Sequence, residues 1–252
     1  MQISVLSSGS RANATVIESK DRRVLIDCGL SARELERRLA FHRINPQSIE
    51  GILVTHEHSD HVRGLSVFSR RWGIPVFANE LTQGELEEVY AIETIKTSGT
   101  FELGPFSISS FPVVHDALDP VAFVVRAEGM KFAQCTDLGR VTPEVLKALR
   151  GCHVVVLESN HDQEMLRTCD YPWPLKQRIS STHGHLSNDA AGALLAEIRH
   201  SELQRVFLGH LSENSNTPEC ALSTVLGYLD HVPSFIVECV GVESPTPLLA
   251  VG

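Results

Sequence analysis

The six cysteines (Cys28, Cys135, Cys152, Cys169, Cys220, Cys239) include no C-x-x-C pair. They read as free thiols of a reducing cytoplasm rather than as a disulfide framework. The first residues, "MQISVLSSGS", have no basic segment followed by an apolar one, so no secretory signal is expected there. No run approaches the roughly 18 apolar residues of a membrane span. Low-complexity tracts and long charged tails are absent, and the proline-bearing stretches 112–120 and 171–178 do not read as interdomain linkers. At 252 residues and 42% hydrophobic, the chain is expected to form one α/β domain, 1–252, with a sizeable core. Positive charge is scarce: 22 Lys and Arg against 31 Asp and Glu leave a net charge of -9. That opposes broad adhesion to nucleic acid or to an anionic membrane. It leaves room for a local site where metal cations reverse the sign.

Strands are expected at "ISVLSS", "ATVIES" and "RVLIDCG", with the turn "SSGSRAN" between the first two. "SARELERRLAFH" reads as a helix whose Ser31 and Glu34 form a capping box. A buried strand "GILVTH", a helix "DHVRGLSVFSRRW", a strand "IPVFAN" and a helix "TQGELEEVY" follow. From 101 to 136 the chain reads mostly as strands, with Glu128-Gly129 as a hairpin turn. "VTPEVLKALR" and "NTPECALSTVLGYLD" share a Thr N-cap, a Pro at the first position and an acid facing the helix dipole. "HVVVLESN", "RVFLGH" and "SFIVECV" read as buried strands, and "SNDAAGALLAEIRH" as a helix capped by Ser187. Two mixed sheets with helices outside satisfy this order. Strand-end acid and strand-end histidine recur ("LIDCG" and "ILVTH", then "CTDLG" and "VFLGH"), consistent with a weak internal duplication.

The stretch "ILVTHEHSDHVRGL" places His56, Glu57, His58, Asp60 and His61 within six residues. Side chains at the carboxyl end of a buried strand project into a shared crevice. His56 and His58, two apart, can point the same way with Glu57 turned aside, while Asp60 and His61 reach back from the turn. Imidazole and carboxylate together suit zinc, iron, manganese or nickel. Packing such groups without a cation is costly. The bland alternative is a polar helix start with solvated histidines. Three other strand ends supply lone ionisable groups: His115 of "SFPVVH", Asp137 of "KFAQCTD" and His210 of "RVFLGH".

H-x-H-x-D-H, a later His, an Asp in "TDLG" and a final "GH" resemble the metallo-β-lactamase superfamily over almost the whole chain. The resemblance implies an αβ/βα sandwich, two mixed β-sheets flanked by helices, with two divalent metal ions in the cleft. It implies that His56, His58 and His115 hold one ion, that Asp60, His61 and His210 hold the other, and that Asp137 bridges them. It gives Asp27 of "LIDCG" the task of supporting the ligand loop by hydrogen bonds. "LSSGSRANAT", "ESNHDQEML", "YPWPLKQRI" and "HGHLSND" are similar to the YycJ (VicX, WalJ) branch of bacterial proteins. Where that branch carries Gly before the asparagine of the first loop, this chain has Ala12, which tolerates fewer backbone angles. The superfamily's lactamases lack the bridging aspartate, and its flavodiiron members carry Glu where His58 stands.

Two cations sharing a carboxylate can share a hydroxide, because metal binding lowers the pKa of water from 15.7 toward roughly 7. They also neutralise a phosphoryl oxygen. The expectation is a dinuclear hydrolase, a phosphodiesterase, with Asp60 and His185 as catalytic residues. His185 would act as general acid or phosphate contact near the helix start at Ser187; His183 reads as structural. The YycJ-like branch implies DNA as substrate and 5′-to-3′ exonuclease activity. A small cyclic nucleotide or another phosphate diester is the alternative, and a regulatory partner of a two-component sensor system is a third reading. Asn160 and His161 are candidates for substrate contact or for helix capping. Ser8, Ser10 and Asn13 could hydrogen-bond phosphate or stabilise their turn. Arg11, Arg63, Lys176 and Arg178 could track a nucleic-acid backbone or stand as solvated charges. Cys28 and Cys135 read as small buried hydrophobes.

Overall fold

Gln2–Ser7 (β1), Ala14–Ser19 (β2) and Arg22–Ile26 (β3) are rich in Val, Ile and Leu and bury most of their side chains. Such runs suit a pleated surface covered on both faces. In the computed structural model, which describes residues 1–230 and 233–252, they form an antiparallel meander. The pairing then turns parallel through Ile49–Leu53 (β4), Val76–Asn79 (β5) and Ile92–Ile95 (β6). Leu249–Ala250 (β14) closes antiparallel on the free edge of β1. The second sheet repeats the pattern. Gly99–Leu103 (β7), Phe106–Pro112 (β8), Val121–Ala127 (β9) and Met130–Cys135 (β10) run antiparallel. Val154–Glu158 (β11), Arg205–Gly209 (β12) and Ile236–Cys239 (β13) continue it in parallel. Among the described residues both sheets have seven strands, and each passes from three antiparallel pairings to three parallel ones, a repeated pattern of the kind a weak internal duplication would leave.

The sheets share a central core. Ile3, Val24 and Leu53 from the first meet Phe106, Phe123, Phe132 and Phe207 from the second. Helices cover the outer faces, giving the expected αβ/βα sandwich. Ala32–Phe41 (α1) and Leu65–Trp72 (α3) press Leu35, Leu39 and Phe68 onto the first sheet. Pro143–Leu149 (α5), Asn188–Ile198 (α8) and Pro218–Gly227 (α9) cover the second. The short helices Ser59–Val62 (α2), Glu80–Gly84 (α4), Gln163–Thr168 (α6) and Trp173–Ile179 (α7) lie in the connections. No helix among the described residues is long and apolar enough to cross a membrane.

Local chemistry explains both the agreements and the differences. Ser31, Thr142, Ser187 and Thr217 all cap as expected. The Ser31–Glu34 box is only half formed, because the Glu34 carboxylate accepts from Arg37 and Arg38 instead. The expected continuous helix at 60–72 breaks at Gly64, which caps α3. The helix expected over 82–90 starts earlier, where Asn79 accepts from Thr82 N, and stops at Gly84. β13 is an edge strand with Ile236 51% exposed, not a buried one. β6, β14, α6 and α7 are short elements that periodicity did not pick out.

Candidate metal centre and active site

Five strands end at one cleft. β3 delivers Asp27, β4 delivers Thr55 to His61, β10 delivers Asp137, β11 ends on Glu158, and β12 delivers His210. Asp27, Asp137 and His210 hold φ of 61°, 58° and 54°. Left-handed backbone costs a non-glycine residue about 1–2 kcal/mol, and it persists where the surroundings over-determine it. Two glycines explain the tight turns. A Cβ on Gly29 would lie 1.6 Å from Asp60 O, and one on Gly139 would lie 2.4 Å from Thr182 O. Only glycine lets those loops close on the cleft.

The imidazoles are tied from behind. His61 Nδ1 sits 2.9 Å from Asp27 Oδ2, and His210 Nδ1 sits 3.0 Å from Glu158 Oε1. His115 Nδ1 is 2.9 Å from Gly184 O, and His56 Nδ1 is 3.0 Å from Thr55 Oγ1. Each anchor fixes the ring and leaves Nε2 for the cleft. There His61 Nε2 stands 3.3 Å from Asp60 Oδ2 and 3.2 Å from Asp137 Oδ2. His210 Nε2 stands 3.5 Å from Asp60 Oδ2 and 3.3 Å from Asp137 Oδ1. His115 Nε2 is 3.8 Å from Asp137 Oδ1. His58 packs edge-on against the rings of both His56 and His115.

The charges are strongly coupled. Burial works against charge on His61 and His210, yet Asp137, joined by Asp27 at His61 and by Asp60 and Glu158 at His210, holds both imidazoles well above the ordinary histidine value. Burial pushes His56 and His115 down. Burial also opposes ionisation of Asp60 and Asp137, but His210 and His61 hold both carboxyls low. Glu158, fully buried, is held at about 2 despite its burial, by His185 and His210.

Donor atoms of His56, His58 and His115 lie within 4.8 Å of one another, as do those of Asp60, His61 and His210, and those of His56, His61 and Asp137. His56 Nε2 and Asp137 Oδ2 are buried without a hydrogen bond. An unmet buried polar atom costs about 1–3 kcal/mol, so two at one point mark a missing partner. Nitrogen and carboxylate donors with no thiolate suit borderline divalent cations. The residues present therefore fit a pair of such ions.

Comparison with known proteins agrees. A family model described as "Beta-lactamase superfamily domain" matches residues 22–211. The exodeoxyribonuclease YycJ of Bacillus anthracis is 36% identical over 92% of this chain and 90% of its own length. The chain belongs to the metallo-β-lactamase superfamily. The exodeoxyribonuclease WalJ of Streptococcus pneumoniae (serotype 2, strain D39) is 34% identical over 90% of this chain and 87% of its own. Among solved structures, the metallo-β-lactamase fold protein YhfI of Bacillus subtilis superposes with a TM-score of 0.74 at 14% identity, covering 97% of this chain and 98% of that one.

Within this superfamily fold the remaining candidates sort by what they touch. Asp27 is fully buried and accepts from Thr55 N at 2.9 Å and Thr55 Oγ1 at 3.0 Å besides meeting His61. Asn13 Nδ2 bonds Asp60 Oδ2 at 3.2 Å and meets His61 Nε2 at 3.1 Å. Ser8 Oγ accepts from His210 N at 2.9 Å, and Asn160 Nδ2 donates to His210 O at 2.8 Å, so both brace the β12 end. Ser10 is exposed at the rim of a separate cavity. Ala12 is buried and has no left-handed angle, so the loop accommodates it where the resembling branch has Gly. Glu57 turns aside, accepting from Leu118 N. His185 Nδ1 lies 2.8 Å from Glu158 Oε1 and 3.9 Å from Asp137 Oδ1, whereas His183 is exposed and bonds locally. Arg11 pairs with Glu213 and Glu243, and Arg178 with Asp116. Those two charges are paired at the surface with acids of the same chain. Cys28 and Cys135 are buried, and burial raises both thiols.

Sequence reading missed two residues. Thr55 links Asp27 to the rings of His56 and His61. Glu158 joins His185 to His210 through one oxygen and accepts from Leu138 N and Leu186 N through the other. The signal for Glu158 was present: "HVVVLES" is another apolar run ending in an acid.

Proposed function

We propose that this chain is a two-metal phosphodiesterase that degrades DNA from an end, in the 5′-to-3′ direction. The observation that carries this reading is the convergence of seven side chains, with Asp60 and Asp137 facing the Nε2 atoms of anchored imidazoles. His56, His58 and His115 would hold one ion and Asp60, His61 and His210 the other, with Asp137 shared. Zinc heads the candidates, with manganese, iron and nickel accepted by the same donors. When bound, the pair lowers the pKa of a water and neutralises charge on a phosphoryl oxygen. DNA as substrate and attack from an end rest on the names of the YycJ and WalJ relatives, and the 5′-to-3′ polarity on the resemblance of the sequence motifs to that branch. A cytoplasmic setting fits six unpaired cysteines.

The chain's own residues orient and move protons. Asp27 and Thr55 hold His56 and His61 in register. Asn13 steadies Asp60, the residue assigned both to an ion and to catalysis. His185, 20% exposed in its side chain and backed by Glu158, is positioned to give a proton to the leaving oxygen. With Nδ1 on Glu158, its other ring nitrogen is the one that can meet substrate.

Hydrolysis of bis-p-nitrophenyl phosphate and of 5′-labelled DNA, with several metals and with EDTA, tests this reading. Asp60→Ala is expected to abolish turnover. His185→Ala is expected to retain metal and slow turnover about 10²–10⁴-fold, the scale of general acid catalysis. Undiminished turnover in His185→Ala removes its assigned role, and no hydrolysis with any metal removes the reading.

A further inference from the structure

Beside His185 a cavity of about 450 Å³ opens between α6, α7 and the start of α8. Its size falls within the roughly 300–1,000 Å³ of small-molecule sites. Its walls include Trp173, Lys176, Arg167, Gln163 and His161, and His185 itself joins it to the His/Asp cluster. Four features there have no use in the ion-binding machinery. Trp173, one of two tryptophans in the chain, is 66% exposed at the cavity. An indole that open to solvent contributes little to the core. His161 is 3% exposed and its Nδ1 is buried without a partner. Among the described residues no carboxylate lines the cavity, although the chain carries a net charge of -9. Among the described residues no carboxylate lies within ion-pair distance of Lys176, whose Nζ donates to Arg167 O at 2.8 Å.

We infer that this cavity is the subsite for the terminal nucleoside of the DNA strand, with the base stacked on Trp173 and the adjoining phosphate turned toward His185. The inference rests on the phosphodiesterase reading above and adds where the strand end sits. An aromatic face accepts any base, because every base has a π-face. His161 lines the cavity beside the position assigned to the base. Lys176 supplies positive potential at the rim, where the backbone carries its charge, whereas Arg167 is paired with Glu164. A cavity of this size takes one nucleoside rather than a run of them, which suits attack at a strand end over attack within a strand.

Trp173 is exposed, so substitutions there leave the core intact. For a short 5′-phosphorylated oligonucleotide, Trp173→Ala is expected to raise KM about 5–150-fold, the equivalent of one base stack, with a much smaller change in kcat. Trp173→Phe should recover most of it. An oligonucleotide lacking its terminal base should lose a similar factor with the wild type and almost none with Trp173→Ala, the signature of a shared interaction. In a metal-loaded Trp72→Phe background, a phosphorothioate form of the oligonucleotide that resists cleavage should quench Trp173 emission saturably. No quenching, or equal losses on removing the base in wild type and Trp173→Ala, overturns the subsite. Failure to hydrolyse both bis-p-nitrophenyl phosphate and DNA with any metal would instead remove the phosphodiesterase reading, and the quenching result still decides the subsite.

Discussion

Asp27 and Asp137 end equivalent strands of the two sheets, each with an antiparallel neighbour on one side and a parallel one on the other. Each is buried, each has a left-handed backbone (φ 61° and 58°), and each is followed two residues later by a glycine that lets a loop close. Their chemistry is opposite. Asp27 lies behind the cluster and is satisfied by Thr55 and by His61 Nδ1. Asp137 lies in front, facing Nε2 atoms, with Oδ2 free of any hydrogen bond. One half of the fold uses the position as scaffold and the other uses it as reactive surface. The difference lies in the neighbours. In the first sheet the next strand supplies Thr55 and the histidine cluster; in the second it supplies Glu158, a carboxylate that takes over the bracing role for His185 and His210.

The sharpest way to break this comparison is to change the front carboxylate. Asp137→Asn should reduce phosphodiester turnover by at least about 10²–10³-fold, the scale of losing one preorganised electrostatic element. Glu158→Gln comes next. It frees two imidazoles at once, so kcat should fall about 10²-fold, the upper end of the range for losing a ligand's supporting hydrogen bond, with a flattened acid limb in the pH profile. Asp27→Asn should cost about 10-fold in metal affinity, the lower end of the same range, and restoring turnover with excess metal would confirm its supporting role. If Asp27→Asn and Asp137→Asn behave alike, the front and back assignments are wrong.

The smallest effect lies far from the cleft. Arg37, and then Arg38, hold the Glu34 carboxyl at about 2, against a partial opposing effect of burial. Its folded pKa is below the unfolded value, so its contribution is present above about pH 4.5 and fades as pH falls toward 2. Because the cluster is partly exposed, Glu34→Gln should lower stability near neutral pH by less than about 1 kcal/mol. The difference between the two proteins should shrink in acid, read by denaturant melts at stepped pH.

Much of this was legible in the sequence where one residue type has one cheap explanation. H-x-H-x-D-H after an apolar strand, and lone acids or histidines at later strand ends, marked His56, His58, Asp60, His61, His115, Asp137 and His210, and the structure brings all of them to one cleft. N-caps at Ser31, Thr142, Ser187 and Thr217 were readable because a hydroxyl before a helix has a local target. The less legible parts depend on tertiary partners. Nothing local says that Ser8 and Asn160 brace His210 or that Arg11 and Arg178 are neutralised by distant acids. Trp173 sits in a proline-bearing stretch without clear periodicity, so α7 and its cavity emerged only with the fold. Glu158 was hidden among buried strand residues although it ends the same kind of run as Asp137.

The most direct test of the central claim is metal content, measured by elemental analysis after reconstitution and removal of unbound ions, for the wild type and for Asp137→Ala side by side. Two divalent ions per wild-type chain, and a clear loss in Asp137→Ala, is the result expected of seven side chains gathered around a shared carboxylate. A wild type that retains no metal, or an Asp137→Ala protein that retains the full complement, would contradict it.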